Sequence, residues 1–286
     1  MSNLLVTGAS GKLGRHVTQL LLEAGKDHII AASRDTTKLA DLAARGAEIR
    51  RADFDDADSL AEAFKGADRI LIISTDALGS GQRLKQHLAA VKAAAEAGAE
   101  IVYTSMPKPD GSAVIFAPDH AGTEQTVIAS GRPYTILRDA WYQENLLMNL
   151  PGAFASGTLY TSAGEGKISH VSHVDVARSA AAALSKPSTN DILTLTGPEL
   201  LTTKQIAALA SEITGKPLAV VDLSDEQLAG GMKAAGVPEA IIPMLVSFDT
   251  TTREGGFDIL TDDVETLTGR KPEPLRAFLE ASKSAF

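Results

Sequence analysis

Two hydrophobic periods alternate along the first 140 residues. Short apolar runs at Asn3–Thr7, His28–Ser33, Ala47–Arg50, Arg69–Ile73, Glu100–Thr104 and Pro133–Arg138 read as strands. Between them, apolar positions recur three and four apart. Leu13, Val17, Leu20, Leu21 and Ala24 form the first such stripe, and it predicts a helix. Helices are expected again over Thr36–Ala44, Ser59–Phe64, Gln82–Ala97 and Asp119–Ala129, with Asp35 or Thr36 capping the first of these four. Strand and helix alternating on short loops predict an α/β fold, a Rossmann-like doubly wound parallel sheet. After residue 150 the alternation becomes irregular. Strands are expected at Thr158–Ser162, Ile192–Thr196 and Leu218–Asp222. Helices are expected at Asp175–Leu184, Thr202–Thr214, Ser224–Ala235, Pro238–Val246 and Glu273–Ala281. The expected division is a Rossmann-like domain over 1–150 and a smaller C-terminal α/β lobe over 151–286 that covers the substrate, with part of 170–197 returning to the main sheet.

The first strand runs into Gly8-Ala9-Ser10-Gly11-Lys12-Leu13-Gly14. A tight glycine turn opening a helix leaves backbone N–H groups pointing outward, and these with the helix dipole suit a pyrophosphate. Gly8 permits the turn, Gly11 lets backbone approach phosphate, and Gly14 lets the helix pack. The glycines are spaced GxxGxxG rather than GxGxxG. The second strand ends in Ser33-Arg34 instead of the carboxylate that takes ribose hydroxyls in NAD sites. Arginine offers several donors to a 2′-phosphate, Ser33 adds one, and Lys38 lies one turn on, so NADPH (NADP+) is the expected cofactor. Asp35 would repel that phosphate unless it serves as the helix cap. Asp53 is expected to reach the adenine amino group with Phe54 along the ring face, the alternative being that Asp53 simply ends a strand.

Composition narrows the partners. A formal net charge of -9 argues against nucleic acid. The absence of cysteine excludes disulfides and thiol nucleophiles. The six histidines show no metal-ligand spacing, so no metal is expected. No apolar run approaches the length of a membrane span, and residues 1–7 are too short for a secretion signal, so a cytoplasmic protein is expected.

Ligand chemistry should lie at the C-terminal ends of the strands, which here are rich in small and polar residues: Ser74-Thr75-Asp76, and Ser105-Met106. After Pro133–Arg138 come Trp141 and Tyr142, aromatics that could wall a pocket for a flat ring, although Trp141 could equally be core between two lobes. No tyrosine has a lysine four residues later: Pro107, Arg138, Leu146 and Gly164 follow Tyr103, Tyr134, Tyr142 and Tyr160. The usual acid–base pair of short-chain dehydrogenases is therefore missing. Chemistry needing little proton transfer remains, and hydride transfer to a quinone fits, since the hydroquinone anion can take its proton from water. Tyr142, Asn145, Lys167 and His173 are donors for such an acceptor; His173 could instead be structural, and His120 could be a general acid or face a loop.

Val6–Gly14, Gly81-Gln82 with Gln86-His87, Tyr103-Thr104-Ser105, Leu137-Arg138 with Trp141–Asn145, and Gly164–Lys167 together resemble the NmrA-like atypical short-chain dehydrogenase/reductase family, nearest its bacterial NADPH:quinone reductases. The resemblance covers nearly the whole chain. It implies a two-lobed monomer or homodimer without flavin, with phosphates on Gly8–Leu13 and Arg34. It also implies Ser74, Thr75 and Asp76 along the adenosine ribose, and Ser105, Arg138, Tyr142 and Asn145 around the nicotinamide ribose and substrate. Pro107 and Pro109 stiffen the substrate-side loop after Met106, a departure that bears on which acceptor is preferred. The same motifs occur in dye reductases and in redox-sensing regulators. A reductase of a dye, azo compound or enone, and a non-catalytic NADP sensor with a protein partner, are the alternative expectations.

Overall fold

The computed structural model describes residues 1–77 and 81–286. Strands and helices alternate as β1 (Asn3–Val6), α1 (Lys12–Ala24), β2 (His28–Ser33), α2 (Ala40–Ala44), β3 (Glu48–Arg51), α3 (Ala57–Phe64) and β4 (Arg69–Ile72). They continue as α4 (Gln82–Glu96), β5 (Glu100–Ser105), α5 (Ala117–Ala129), β6 (Tyr134–Asp139), α6 (Leu146–Ser156) and α7 (His173–Leu184). The strand Asp191–Leu195 then returns to pair in parallel with β6, Leu195 opposite Asp139. A seven-stranded sheet results, in the order Asp191–Leu195, β6, β5, β4, β1, β2, β3, and every pairing in it is parallel.

Alternation along the strands explains the two helical layers. Leu5, Ile70, Ile72, Ile101 and Ile136 point to one face, where Phe64 of α3, Val91 of α4 and Val127 of α5 cover them. Leu4, Val6, Leu71, Val102 and Leu137 point to the other, under Val17 and Leu21 of α1 and Val176 and Ala180 of α7. A sheet apolar on both faces must be covered on both, which is why its strands read as continuous apolar runs.

A third core joins the loop after β5 to the C-terminal region through Met106, Val114, Leu146, Leu150, Ile206 and Phe278. Small pairings brace this region: Trp141–Tyr142 with His170–Val171, Lys167–Ile168 with Leu201–Thr202, and Thr158–Thr161 with Ala219–Asp222. Thr202 with Gln205, and Ser224 with Gln227, form capping boxes at two of its helices.

Several elements differ from the pattern-based expectation, among them the short helix Asp263–Thr268 and the two-residue strands of the C-terminal region, which the pattern did not announce. Thr36–Ala44 splits into a 3-10 turn, Thr36–Leu39, followed by α2. The helix expected at Pro238–Val246 instead runs Ile242–Arg253, because Pro243 suits the first helical turn while Pro238–Ile241 closes a separate turn. Helix α6 lies outside the expected elements, since Pro151-Gly152 within it imitates a break. Among the described residues no helix is long and apolar enough to cross a membrane.

Candidate active site

The chain leaves β1 toward β2 and β3, then crosses to the opposite side of β1 as β4. Loops that diverge at such a point leave a crevice at the strand ends. A cavity of about 430 Å3 opens there. Its floor is the turn between β1 and α1. Gly8 adopts φ +61°, and the Gly11 N–H donates to Gly8 O at 2.9 Å. The N–H of fully buried Ala9 donates to Ala32 O at 3.0 Å, which ties the turn to β2. Gly14 packs against the turn itself: a Cβ there would lie 2.4 Å from Gly8 O. Ser10, Lys12 and Leu13 complete the floor.

The walls come from three other strand ends. After β2 stand Ser33 and Arg34, with the Ser33 hydroxyl 2.8 Å from that of Ser10. Arg34 is exposed and, among the described residues, forms no ion pair. Asp35 accepts from the Thr37 N–H at 3.1 Å and its hydroxyl at 2.6 Å, and these bonds hold its carboxyl below the usual range. It therefore serves as the cap, and Lys38 sits 3.6 Å from it. Ala52 and Phe54 line the cavity after β3, whereas Asp53 does not. The Asp53 carboxylate accepts from the Asp55 N–H at 3.1 Å and lies 3.4 Å from Arg51. Ser74, Thr75 and Asp76 line it after β4.

A buried polar network fixes this last loop. The Thr7 hydroxyl donates to Leu71 O at 2.9 Å and accepts from the Ile73 N–H at 2.9 Å. The Ser74 N–H donates to the Thr104 hydroxyl at 2.9 Å. The Thr75 N–H donates to His87 Nε2 at 3.0 Å, so the ring proton of neutral His87 is on Nδ1. That Nδ1 faces the Thr123 hydroxyl at 3.0 Å, which itself donates to Asp119 O. Tyr103, fully buried, places its hydroxyl in hydrogen-bond contact with His120 Nδ1 at 2.9 Å. Burial pushes both histidines down to about 3, so the network stays uncharged at neutral pH.

The residues expected around the acceptor separate into three groups. Ser105 and Arg138, at the ends of β5 and β6, converge on Glu124 of α5. The Ser105 hydroxyl donates to Glu124 Oε1 at 2.6 Å, and Arg138 makes a two-pronged pair with both carboxylate oxygens, Nε to Oε1 at 2.9 Å. That bond is the main reason the guanidinium pKa is raised, and the charge of Arg138 is spent on a neighbour. Tyr142 donates to Asp139 Oδ2 at 3.0 Å, and its ring lies 4.2 Å from that of His173. It shares an apolar cluster with Leu13 and Ile73, both on the cavity wall. Desolvation pushes the Asp139 carboxyl up to about 8 and lowers His173, which also feels Glu144, Lys12 and His16. Asn145 ends the turn after Tyr142 and is half-buried.

Trp141, Met106 and Lys167 lie elsewhere. Consecutive strand residues face opposite ways, so Trp141 turns from the side Tyr142 takes and stacks 4.0 Å from Phe248. It belongs with Met106 to the C-terminal core. Ile168 is buried, and alternation leaves Lys167 exposed on its short strand. None of the three lines the cavity, and neither do Ser105, Arg138, Tyr142, Asn145 or His173.

Glu124, Asp139 and Gln86 are the site-region residues the sequence did not assign. His120, Thr123 and Glu124 carry a readable signal: spaced i, i+3, i+4 on α5, they place three polar groups on the buried face. Asp139 gives none, since its partner Tyr142 lies past the strand end.

Glycine turn, Arg34 and two buried wall atoms that have no partner among the described residues, Thr75 Oγ1 and Gln86 Oε1, fit a bound dinucleotide. Residues 1–279 match the NmrA-like family, and the chain belongs to it. It is 34% identical to Quinone oxidoreductase 2 of Escherichia coli, over 99% of this chain and 98% of that protein. The crystal structure of an NADPH-dependent quinone oxidoreductase from Escherichia coli complexed with NADPH superimposes with a TM-score of 0.92, at 32% identity, covering 97% of this chain and 99% of that one. The Citrobacter sp. triphenylmethane reductase complexed with NADP(H) gives a TM-score of 0.89 at 31% identity, covering 99% of this chain and 100% of that one.

Proposed function

We propose that this chain is an NADPH-dependent oxidoreductase that reduces a quinone-like acceptor directly, without flavin. The observation that carries the reading is the cleft whose floor is a glycine turn and whose β2 wall ends in Arg34, without an ion pair among the described residues. Support comes from the cofactors named for the two similar crystal structures. In this reading Gly8–Leu13 and the start of α1 hold the pyrophosphate. Arg34 and Ser33 hold the 2′-phosphate, and Ser74, Thr75 and Asp76 meet the ribose. Bound NADPH supplies a hydride from its nicotinamide ring. Tyr142 and Asn145 then border the acceptor, with His173 behind the tyrosine ring. Tyr142 is committed to Asp139, and no lysine follows it at helical spacing, so it lacks the lysine partner that would activate it as a proton donor. An acceptor whose reduced anion takes its proton from water suits that equipment.

The domain over 1–150 holds the cofactor in this reading. The region 151–286 covers the acceptor side, apart from the helix and strand within 170–197 that join the main sheet. A cytoplasmic monomer or homodimer acting on a small molecule, with no nucleic-acid partner, accords with the acidic, cysteine-free composition. The test is NADPH oxidation by flavin-free protein, followed at its near-ultraviolet absorbance with and without a simple quinone. Quinone-dependent loss is expected. Tight NADPH binding without turnover on quinones, dyes or enones would overturn the reading in favour of a sensor.

A further inference from the structure

Gln86 of α4 lines the cleft with only 7% of its surface exposed. Its amide has one possible orientation. Nε2 donates to Asp55 Oδ2 at 2.8 Å, while Gln82 Nε2 donates to Asp55 Oδ1 at 2.5 Å. A carboxylate accepts only, so the NH2 group must face Asp55. The carbonyl oxygen Oε1 is left on the other side, buried and, among the described residues, without a partner. Buried acceptors in native proteins are rarely left so.

The position of Gln86 indicates the missing donor. Pyrophosphate at the start of α1 and ribose at the end of β2 put the base beyond them, between the loops after β3 and β4. Ala52 and Phe54 come from the first loop, Asp76 and Ala77 from the second, and Gln86 from the helix that follows. Asp53, the acceptor expected from the sequence, is engaged with Asp55 and Arg51 and is not on the wall. The last torsion of glutamine is broad, so Oε1 can tilt into the cleft while Nε2 keeps Asp55.

We propose that Gln86 recognises the adenine of the cofactor, its Oε1 accepting a hydrogen bond from the exocyclic 6-amino group. Asp55 and Gln82 are positioning residues that keep the amide the right way round. The inference rests on the NADPH reading above.

Calorimetric binding of NADP+ and of its hypoxanthine analogue tests it. The analogue carries a 6-oxo group, an acceptor, where adenine carries a donor. The wild type is expected to bind NADP+ about tenfold tighter, the fold-change of one good hydrogen bond. Gln86→Met is expected to bind both within about twofold of each other, and Gln86→Ala repeats the test if the methionine variant does not fold. Equal affinities in the wild type, or an undiminished preference in the variant, overturn the role of Gln86 and leave NADP+ binding intact. Failure of the wild type to bind either overturns the cofactor reading and this inference together.

Discussion

Replacing Gly14 with alanine puts a methyl carbon 2.4 Å from Gly8 O, 2.7 Å from Gly8 C and 3.0 Å from Ala9 Cα. All three are backbone atoms, so no side-chain rotation relieves the contact. Reaching an ordinary contact of 3.4 Å requires the turn to retreat by about 1 Å. The turn is held by Gly11 N–H to Gly8 O at 2.9 Å and Ala9 N–H to Ala32 O at 3.0 Å, and the retreat strains both. Overpacking of this kind costs about 1–3 kcal/mol. The helix-forming advantage of alanine over glycine returns roughly 0.5–1 kcal/mol. A net loss of about 1–2 kcal/mol lowers Tm by roughly 2–4 °C in a chain of this size. The displaced N–H groups also lose their aim at the pyrophosphate, and NADPH affinity should fall at least about tenfold. Gly11→Ala is the control. Its Cβ meets only Gly8 O, at 3.3 Å, and its φ of -81° suits any residue, so stability should change by less than about 0.5 kcal/mol. Thermal unfolding by circular dichroism and fluorescence titration with NADPH read both effects. A Gly14→Ala protein with wild-type Tm and wild-type affinity would refute the packing reasoning.

Three other expectations concern the acceptor end. Glu124→Gln leaves the Arg138 guanidinium without its counter-charge; because Arg138 keeps 22% side-chain exposure and Glu124 only 5%, the loss should be about 2–3 kcal/mol in urea unfolding, below the range for a fully buried pair. Unchanged stability would mean the pair is not a clamp. Asp139, with its carboxyl pushed up to about 8 by burial, keeps a proton in the native state that the unfolded chain releases near pH 4. Native protein then binds more protons than unfolded, so stability falls as pH rises from about 4 to about 8, by up to roughly 1.4 kcal/mol per unit. Asp139→Asn removes that slope, and its stability relative to wild type should be greater at pH 8 than at pH 5; an equal difference at both refutes a neutral Asp139. Tyr142→Phe should lower turnover with a quinone only a few-fold, about 1 kcal/mol of barrier. A loss of several orders of magnitude with the fold intact would make Tyr142 a true proton donor.

The fold was legible where a single physical period controlled the sequence. Strands apolar on both faces, such as Arg69–Ile72, and the stripe Leu13, Val17, Leu21 announce a covered parallel sheet. Polar residues at strand ends marked the cleft, and Gly8, Ser10, Lys12, Arg34, Phe54, Ser74, Thr75 and Asp76 all line it. The legibility stopped where a role depends on a partner distant in sequence. Arg138 looks like a free cation until Glu124 is seen across α5. Asp53 was the acceptor the sequence suggested; its carboxylate takes the Asp55 N–H, and only the bond from Gln86 Nε2 to Asp55 shows which way the Gln86 amide faces. Trp141 and Tyr142 are adjacent aromatics, but the pairing of their two-residue strand sends one to the C-terminal core and the other to the core beneath α1 and α7. Irregular segments escaped for a different reason: in α6, tertiary packing of Leu146 and Leu150 overrides the proline signal.

The most direct test of the cleft as an NADPH site is kcat/KM for NADPH and NADH with one quinone, in wild type and in Arg34→Ala. A hydrogen-bonded charge contact to the 2′-phosphate is worth about 10- to 100-fold, so wild type should prefer NADPH by that factor. The preference should collapse to near unity in Arg34→Ala, through the NADPH term alone. A wild type indifferent to the 2′-phosphate, or a variant that loses both cofactors equally, would contradict the assignment of Arg34 and the NADPH reading built on it.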